Sequence, residues 1–585
     1  MSNIFSQLLA FIPPILLGYG FRSTPATTSC RCFPSEPCWP SPAEWNAFNE
    51  TIGGKLIATV PLAAPCHDSA FGPYDEEACN ALRDVWFFPE THIPSASSPM
   101  AQVFANNSCN PFSPPDAPCL IGTAPRYAVD AQDAADFQKT LEFVNRHNIR
   151  LVIRNSGHDY LGRSTGAGSL AIWTQHMKSM EMLPEYKSTG YTGLAIKMGA
   201  GVSALEAYEF ANSNGVAVVG GNCPTVSIAG GYTQGGGLGP LSSKFGLAVD
   251  QVLEWEVVTA DGKLLTATPE QNSDLFWALN GGGGGTFGVV VSLTAKAHPS
   301  VEISTAQLMV GKTEENEEAF WDVVTTFHNS LPAMVDAGAV VTFAVVPNAF
   351  VVTPAVAPNM TPAQLDAFMQ PTRDKLDKHG IPYQYIPQHF PTFLEYYQTM
   401  SLRPANVSDF LMGGRLIPRS LVEPDPTTGV QSRTSELVSA IRKIVSHGDT
   451  VYSGVSFNVA KSVSSLSTVS ANPYWRESLY SAVFGAAYHY DDWDANLRTQ
   501  VRMTEELVPA LSRLTKSTAN GDGAYLNEAD FREKEFKQLF YGENYARLDQ
   551  VKRKYDPEGV FYGIVGVGSD RWEEKSDGRL CKVSN

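Results

Sequence analysis

Between residues 133 and 148 apolar side chains recur at helical spacing, with Phe137, Leu141 and Val144 on one face, and Leu151-Val152-Ile153 follows as a short apolar run. The first pattern predicts a surface helix and the second a buried strand, closed by a glycine turn. The same alternation continues as a strand at 194–198, a helix at 204–212, and strand and turn at 215–220. β-rich stretches then cover 252–259, 263–267 and 288–295, the first two joined by the hairpin signal Asp261-Gly262. Past Pro299 the glycine density falls. A helix is expected over about 316–330, with Phe320, Val323, Val324 and Phe327 on one face, followed by a strand at 339–346. Residues 301–520 therefore read as a second α+β unit. The stretch 536–555 reads as one helix, with Leu548, Val551 and Tyr555 inward, stopped by Asp556-Pro557. There is no internal repeat.

The chain has 585 residues, enough for two domains or one with a large insertion. Its formal charge of −17 and the lack of a basic run argue against nucleic acid or an anionic membrane as partner. Residues 4–20 are apolar, are broken by Pro13-Pro14, and end near the small residues Gly18 and Gly20. That pattern predicts a signal peptide over 1–20 rather than a membrane anchor, and hence a secreted protein. The Pro- and Cys-rich stretch 21–117 reads as an irregular, cross-linked leader. Eight of the nine cysteines, Cys30, Cys32, Cys38, Cys66, Cys79, Cys109, Cys119 and Cys581, form an even set suited to disulfides, and Cys223 is left over. Sequons at Asn49, Asn106, Asn359 and Asn406 are compatible with glycosylation.

Three glycine clusters, at 157–168, 220–239 and 280–288, can turn successive backbone N–H groups toward one anion, so a cofactor containing pyrophosphate is expected. None has the strand, G-x-G-x-x-G, helix order of a nicotinamide site, and none ends in the Gly-Lys-Ser/Thr of a P-loop.

Four segments carry a resemblance. They are Arg154-Asn155-Ser156-Gly157-His158-Asp159-Tyr160, Cys223-Pro224-Thr225-Val226-Ser227-Ile228-Ala229-Gly230-Gly231, Leu275-Phe276-Trp277-Ala278-Leu279-Asn280, and Tyr541-Gly542-Glu543-Asn544-Tyr545-Ala546-Arg547-Leu548. In this order they resemble the berberine-bridge-enzyme-like branch of the vanillyl-alcohol-oxidase superfamily, over about residues 118–570. The N-terminal Cys-Arg-Cys-Phe-Pro and Pro-Cys-Trp-Pro pieces resemble its fungal, isoamyl-alcohol-oxidase-like members. The resemblance implies an α+β, two-domain FAD-binding fold of the vanillyl-alcohol-oxidase type. Residues 118–300 would hold FAD, an antiparallel-sheet substrate domain would span 301–520, and 521–585 would return to the FAD domain.

It further implies bicovalent FAD, with His158 bonded to the 8α-methyl carbon and Cys223 to C6. An imidazole nitrogen and a thiolate suit addition to an electron-poor ring. Arg154, Asn155, Ser156, Gly157 and Asp159, with Gly230, Gly231, Gly235, Gly281 and Gly282, fall to the cofactor cradle. Tyr525 and Tyr160 match places where the family puts tyrosines near the flavin N5, so each is a candidate base, with packing in a core as the alternative reading. Plant members carry a glutamate base on a substrate-domain strand; the most similar segment here offers Asn458, an amide that cannot take a proton. The cluster Tyr488-His489-Tyr490-Asp491 could line the pocket, though packing is the commoner use of such a run. The expected function is oxidation of an alcohol or amine carbon, with a small-molecule substrate and dioxygen as partners and hydrogen peroxide as product. A dehydrogenase using another acceptor, a secondary-metabolite pathway oxidase, and a disulfide-rich extracellular binding protein are the alternatives.

Overall fold

The computed structural model describes residues 30–401, 406–424, 427, 429, 431–460, 468–516 and 522–583. The expected signal peptide lies outside the described residues. The first α/β unit begins on a four-stranded sheet in the spatial order Leu56–Ala58, Tyr127–Asp130, Leu170–Trp173, Leu151–Arg154. Its last three strands are parallel, because the helix Ala134–His147 makes the crossover between the second and the fourth. That helix starts where the Asp133 side chain accepts from the amides of Ala135 and Asp136, and it stops at Asn148, which takes the left-handed conformation at φ 51°. Phe137, Leu141 and Val144 are fully buried, as the periodicity predicts.

A five-stranded antiparallel sheet follows, in the order Met180–Ser188, Tyr191–Gly199, Val289–Lys296, Val252–Val258, Leu264–Ala267. The hairpin at Asp261-Gly262 forms, with Gly262 at φ 77°. The second unit is a seven-stranded, wholly antiparallel sheet. Its order is Tyr383–Phe390, Ile303–Gly311, Ala349–Pro358, Val340–Val346, Thr450–Ser456, Ser478–Ala487, Phe410–Pro418. Helices Glu317–Asp336, Pro362–His379 and Thr434–Val445 pack with it around one core that contains Phe320, Phe327, Phe343 and Tyr480.

Three local expectations change. The helix expected to end near 330 runs through Pro332 to Asp336, because Leu331, Met334 and Val335 continue the buried face. The helix expected over 536–555 is two, Phe536–Tyr541 and Tyr545–Tyr555, parted at Gly542 with φ 57°. The stretch 21–117 is less irregular than its composition suggests: among its described residues, Ser41 and Glu44 form a capping box for the helix Pro42–Thr51, and Asp75 caps Glu76–Val85. Their inward faces are narrow, with only Trp45 and Phe48 buried in the first and Cys79 in the second, so periodicity is faint.

The eight set-aside cysteines are all paired. Cys32–Cys38, Cys66–Cys79 and Cys109–Cys119 staple local loops, and Cys30–Cys581 joins the two ends of the described chain. Cys223 is free. The C-terminal segment returns to the first unit, where Leu539, Phe540, Tyr541, Leu548 and Val551 share a core with Trp255, Trp277 and Phe287. Among the described residues, no helix is long and apolar enough to cross a membrane.

Candidate active site

A cavity of about 420 Å³ lies where the glycine turns of the first unit, the strand Phe410–Pro418 of the second and the C-terminal segment meet. The strand Leu151–Arg154 ends by delivering Asn155 to Tyr160 to its wall, and the loop after Val216–Ala217 delivers Cys223 to the same wall. His158 Nε2 lies 3.8 Å from Cys223 Sγ, and Thr225 Oγ1 sits between them, 2.7 Å from the imidazole and 3.4 Å from the sulfur. Two side chains 65 residues apart in sequence thus converge on one point. Burial, reinforced by His92 and Arg154, lowers the His158 pKa to about 3. The imidazole therefore stays neutral and keeps a lone pair to share.

The other predicted cradle residues divide. Asn155 is tied to the Ala200 carbonyl and to Ser227, and it lines the cavity with Ser156 and Gly157. Asp159, also on the wall, accepts from the amides of Leu161 at 3.0 Å and Ser164 at 2.6 Å and so fixes the turn that presents His158. Gly230 and Gly231 line the cavity. A Cβ on Gly284 would sit 2.7 Å from Gly231 Cα, so two glycine backbones form one thin wall there.

Arg154, Gly235, Gly281 and Gly282 do not line the cavity. Arg154 is fully buried behind it, donating to the carbonyls of Ser95 and His92 and joining the N-terminal region to the histidine turn. Its guanidinium lies 2.6 Å from where a Gly157 Cβ would be, so that glycine answers to packing as well as to the cavity. Gly235 leaves room for the Asn527 amide, and Gly281 approaches the Ala471 backbone within 2.0 Å of a notional Cβ. Gly282 packs against Ala278 and Phe287.

Tyr525 and Tyr160 both line the cavity. The Tyr525 hydroxyl accepts from Asn527 Nδ2 at 3.0 Å. Burial first, and then the neighbouring Glu528 carboxylate, push the Tyr525 phenol up; Tyr160 is pushed up by burial, by Cys223 and by Glu528. Both phenols thus hold their protons at neutral pH, which suits donation rather than proton abstraction. Asn458 is not on the cavity: its amide donates to Asp336, and its backbone N–H to Ser243. Its strand, Thr450–Ser456, ends before it. Tyr490 serves packing, with its hydroxyl accepting from Trp86 Nε1 at 2.9 Å and its ring against Phe87 and Phe112.

Sequence reasoning missed Arg163, Glu528 and the substrate-domain residues Asn406, Val407 and Met412 as parts of the wall, and Thr225 as the partner of His158 and Cys223. Glu528 had a usable signal, being the acid that directly follows Tyr525-Leu526-Asn527.

The cavity fits FAD on its own chemistry. It has a glycine-walled end, a neutral imidazole beside a free thiol, and two buried polar atoms without partners among the described residues, Tyr232 Oη and Gln234 Oε1, on residues of its wall. The family description "FAD binding domain" matches residues 125–268, and "Berberine and berberine like" matches 524–566. The FAD-linked oxidoreductase sor8 of Hypocrea jecorina is 46% identical over 564 residues, 96% of this chain and 95% of that protein. This chain belongs to the berberine-bridge-enzyme-like FAD oxidoreductases of the vanillyl-alcohol-oxidase superfamily. The FAD-linked oxidoreductase ZEB1 of Gibberella zeae is 42% identical, over 97% of this chain and 98% of its own. The crystal structure of the VAO-type flavoprotein MtVAO615 from Myceliophthora thermophila C1 superposes with a TM-score of 0.89 at 40% identity, covering 95% of this chain and all of that one. Its membership makes this protein an FAD enzyme of two-domain α+β fold.

Proposed function

We propose that this enzyme carries FAD bonded twice, to His158 and to Cys223, and oxidises an alcohol or amine carbon with dioxygen as acceptor, releasing hydrogen peroxide. The observation that carries the reading is the 3.8 Å approach of a neutral imidazole to a free thiol on one cavity wall. Both nucleophiles face the same edge of whatever ring enters there, and Thr225 holds the imidazole in place. Each bond replaces a ring or methyl C–H by C–N or C–S, a two-electron oxidation whose electrons dioxygen removes. Once bound, FAD supplies the acceptor for a hydrogen and its electron pair from the substrate carbon. Burial, helped by His92 and Arg154, keeps His158 from protonating, Asp159 holds its turn, and the phenols of Tyr160 and Tyr525 are placed to donate to a substrate oxygen. Four disulfides support export into an oxidising compartment.

Acid-precipitated protein is expected to stay yellow, and peptide mapping to find one flavin joined to the peptides of both residues. His158→Ala and Cys223→Ser should each keep flavin through the other bond. Release of all flavin into the acid supernatant would overturn double attachment; failure of any alcohol or amine to yield peroxide would overturn the oxidase reading.

A further inference from the structure

Glu528 ends the short turn Leu526–Glu528 and lines the cavity shared by His158 and Cys223. Its place is set by backbone: its amide donates to the Tyr525 carbonyl at 2.9 Å, and its own carbonyl lies 2.6 Å from where a Gly414 Cβ would be. A side chain at position 414 would push the turn off the strand Phe410–Pro418. Among the described residues, no hydrogen bond or ion pair engages the Glu528 carboxylate. The other acid on the wall, Asp159, is committed to two amides, and Arg163 gives Nε and Nη2 to the carbonyls of Ile564 and Val565, each at 3.0 Å.

We propose that the Glu528 carboxylate is the base that takes the hydroxyl proton of the substrate, and that this substrate is an uncharged alcohol on an apolar or aromatic body. The inference rests on the reading that an alcohol is oxidised here. The groups that feel the Glu528 charge are Tyr160 from the histidine turn, Tyr232 from the second glycine cluster and Tyr525 from its own segment; Asp409, beside Tyr160, adds a second negative charge on the substrate-domain side. All these phenols are pushed up by burial and keep their protons. Burial alone lifts the Glu528 carboxyl to about 7, a basicity matched to proton transfer near neutrality.

In the step itself the O–H bond breaks and its proton passes to Glu528. The C–H bond of the same carbon gives its hydrogen and electron pair to bound FAD, and the carbonyl forms. The alcohol is oxidised by two electrons and FAD is reduced by two. Glu528 then returns its proton to solvent while dioxygen takes the electrons. The cavity wall also offers Leu238, Val407 and Met412 besides the tyrosines, and Arg163, the one cationic side chain lining it among the described residues, gives Nε and Nη2 to carbonyls. An anionic substrate would be repelled by the Glu528 carboxylate and would find one counter-charge, Arg163, whose Nε and Nη2 are turned to the Ile564 and Val565 carbonyls; a cationic amine would hold Glu528 in its ionised, paired form.

The test uses the flavin-loaded full chain and Glu528→Gln, which keeps shape and removes the charge. Infrared difference spectra of the wild type should show a protonated-carboxyl band that titrates near pH 7 and is missing in Glu528→Gln, whose flavin content and absorbance should match wild type. In anaerobic flavin bleaching, 1-hexanol or benzyl alcohol should outpace glycolate, with a rate that rises through pH 7. Glu528→Gln should lose on the order of 10² to 10⁴ in that rate together with the pH limb. Tyr525→Phe should keep the limb. A band that does not titrate, or bleaching by alcohols that survives Glu528→Gln, overturns Glu528 as base. Faster bleaching by glycolate overturns the substrate class. Failure of every alcohol to bleach the wild-type flavin overturns the parent reading and this one together.

Discussion

Lys552 offers a direct measure of what holds the C-terminal segment against the glycine-walled end of the cavity. Its Nζ is buried and donates to the carbonyl of Thr286 at 2.7 Å, the carbonyl of Phe561 at 2.6 Å and Asp556 Oδ2 at 2.6 Å. One ammonium therefore ties the last glycine cluster to residues 556–563, whose Phe561, Tyr562 and Gly563 line the cavity. Lys552→Met keeps the stem and deletes the charge. Breaking one partner out of a buried pair costs about 3–5 kcal/mol, chiefly through the charge left behind. Asp556 still accepts from the amides of Val560 and Phe561, at 2.7 and 2.9 Å. Arg31, which interacts with Asp556 and donates to the carbonyls of Glu558 and Gly559, remains as a counter-charge. Both place the expected loss at the lower end, about 3 kcal/mol. A two-unit protein need not unfold in one step, so the appropriate assay is local hydrogen exchange followed by mass spectrometry. At 1.4 kcal/mol per tenfold change, amides of 556–563 should exchange about 10² times faster in Lys552→Met. The double variant Lys552→Met/Asp556→Leu should recover little of the protection, because it also takes the Asp556 counter-charge from Arg31 and leaves the amides of Val560 and Phe561 without their acceptor. Exchange of 556–563 within threefold of wild type in the single variant would refute the reasoning.

A Cβ on Gly239 would lie 1.8 Å from the Gly220 carbonyl oxygen, so Gly239→Ala must displace the backbone three residues before Cys223. Overpacking of this kind costs at least about 1–3 kcal/mol, and peptide mapping should find flavin on His158 but little on Cys223. His92, His298 and His328 are each held near pKa 4, below their ordinary value, chiefly by burial. The unfolded chain binds these protons first, so stability should fall as pH drops from about 6.5 to about 4 and be flat for these groups above that window. In thermal unfolding midpoints followed across the window, His328→Phe should flatten the slope.

Much of this architecture was readable because its periods are unambiguous. Phe137, Leu141 and Val144 mark their helix at a spacing no strand shares, and the glycines around Gly230 and Gly284 announce a backbone that something must approach. The single helix assumed over 536–555 failed for the opposite reason, since a glycine in the left-handed region leaves no mark on periodicity. At the site, His158 and Cys223 were found because motif order carries them, whereas their 3.8 Å approach is a product of folding. Asn458 was misplaced because likeness to a strand says nothing of where that strand ends. Glu528 was overlooked because an acid in a loop reads as solvated, and only folding brings it to one cavity wall with Tyr160, Tyr232 and Tyr525.

The bridge between Cys30 and Cys581 makes the chain a covalent ring of nearly its whole length, 551 residues from one cysteine to the other. A single peptide-bond cut anywhere inside that ring leaves one molecule, and two fragments separate only after reduction. The same adjacency of ends means that a short linker across them, with new termini opened in an exposed loop such as the one around Gly448, should give a permuted chain that folds to the same cavity.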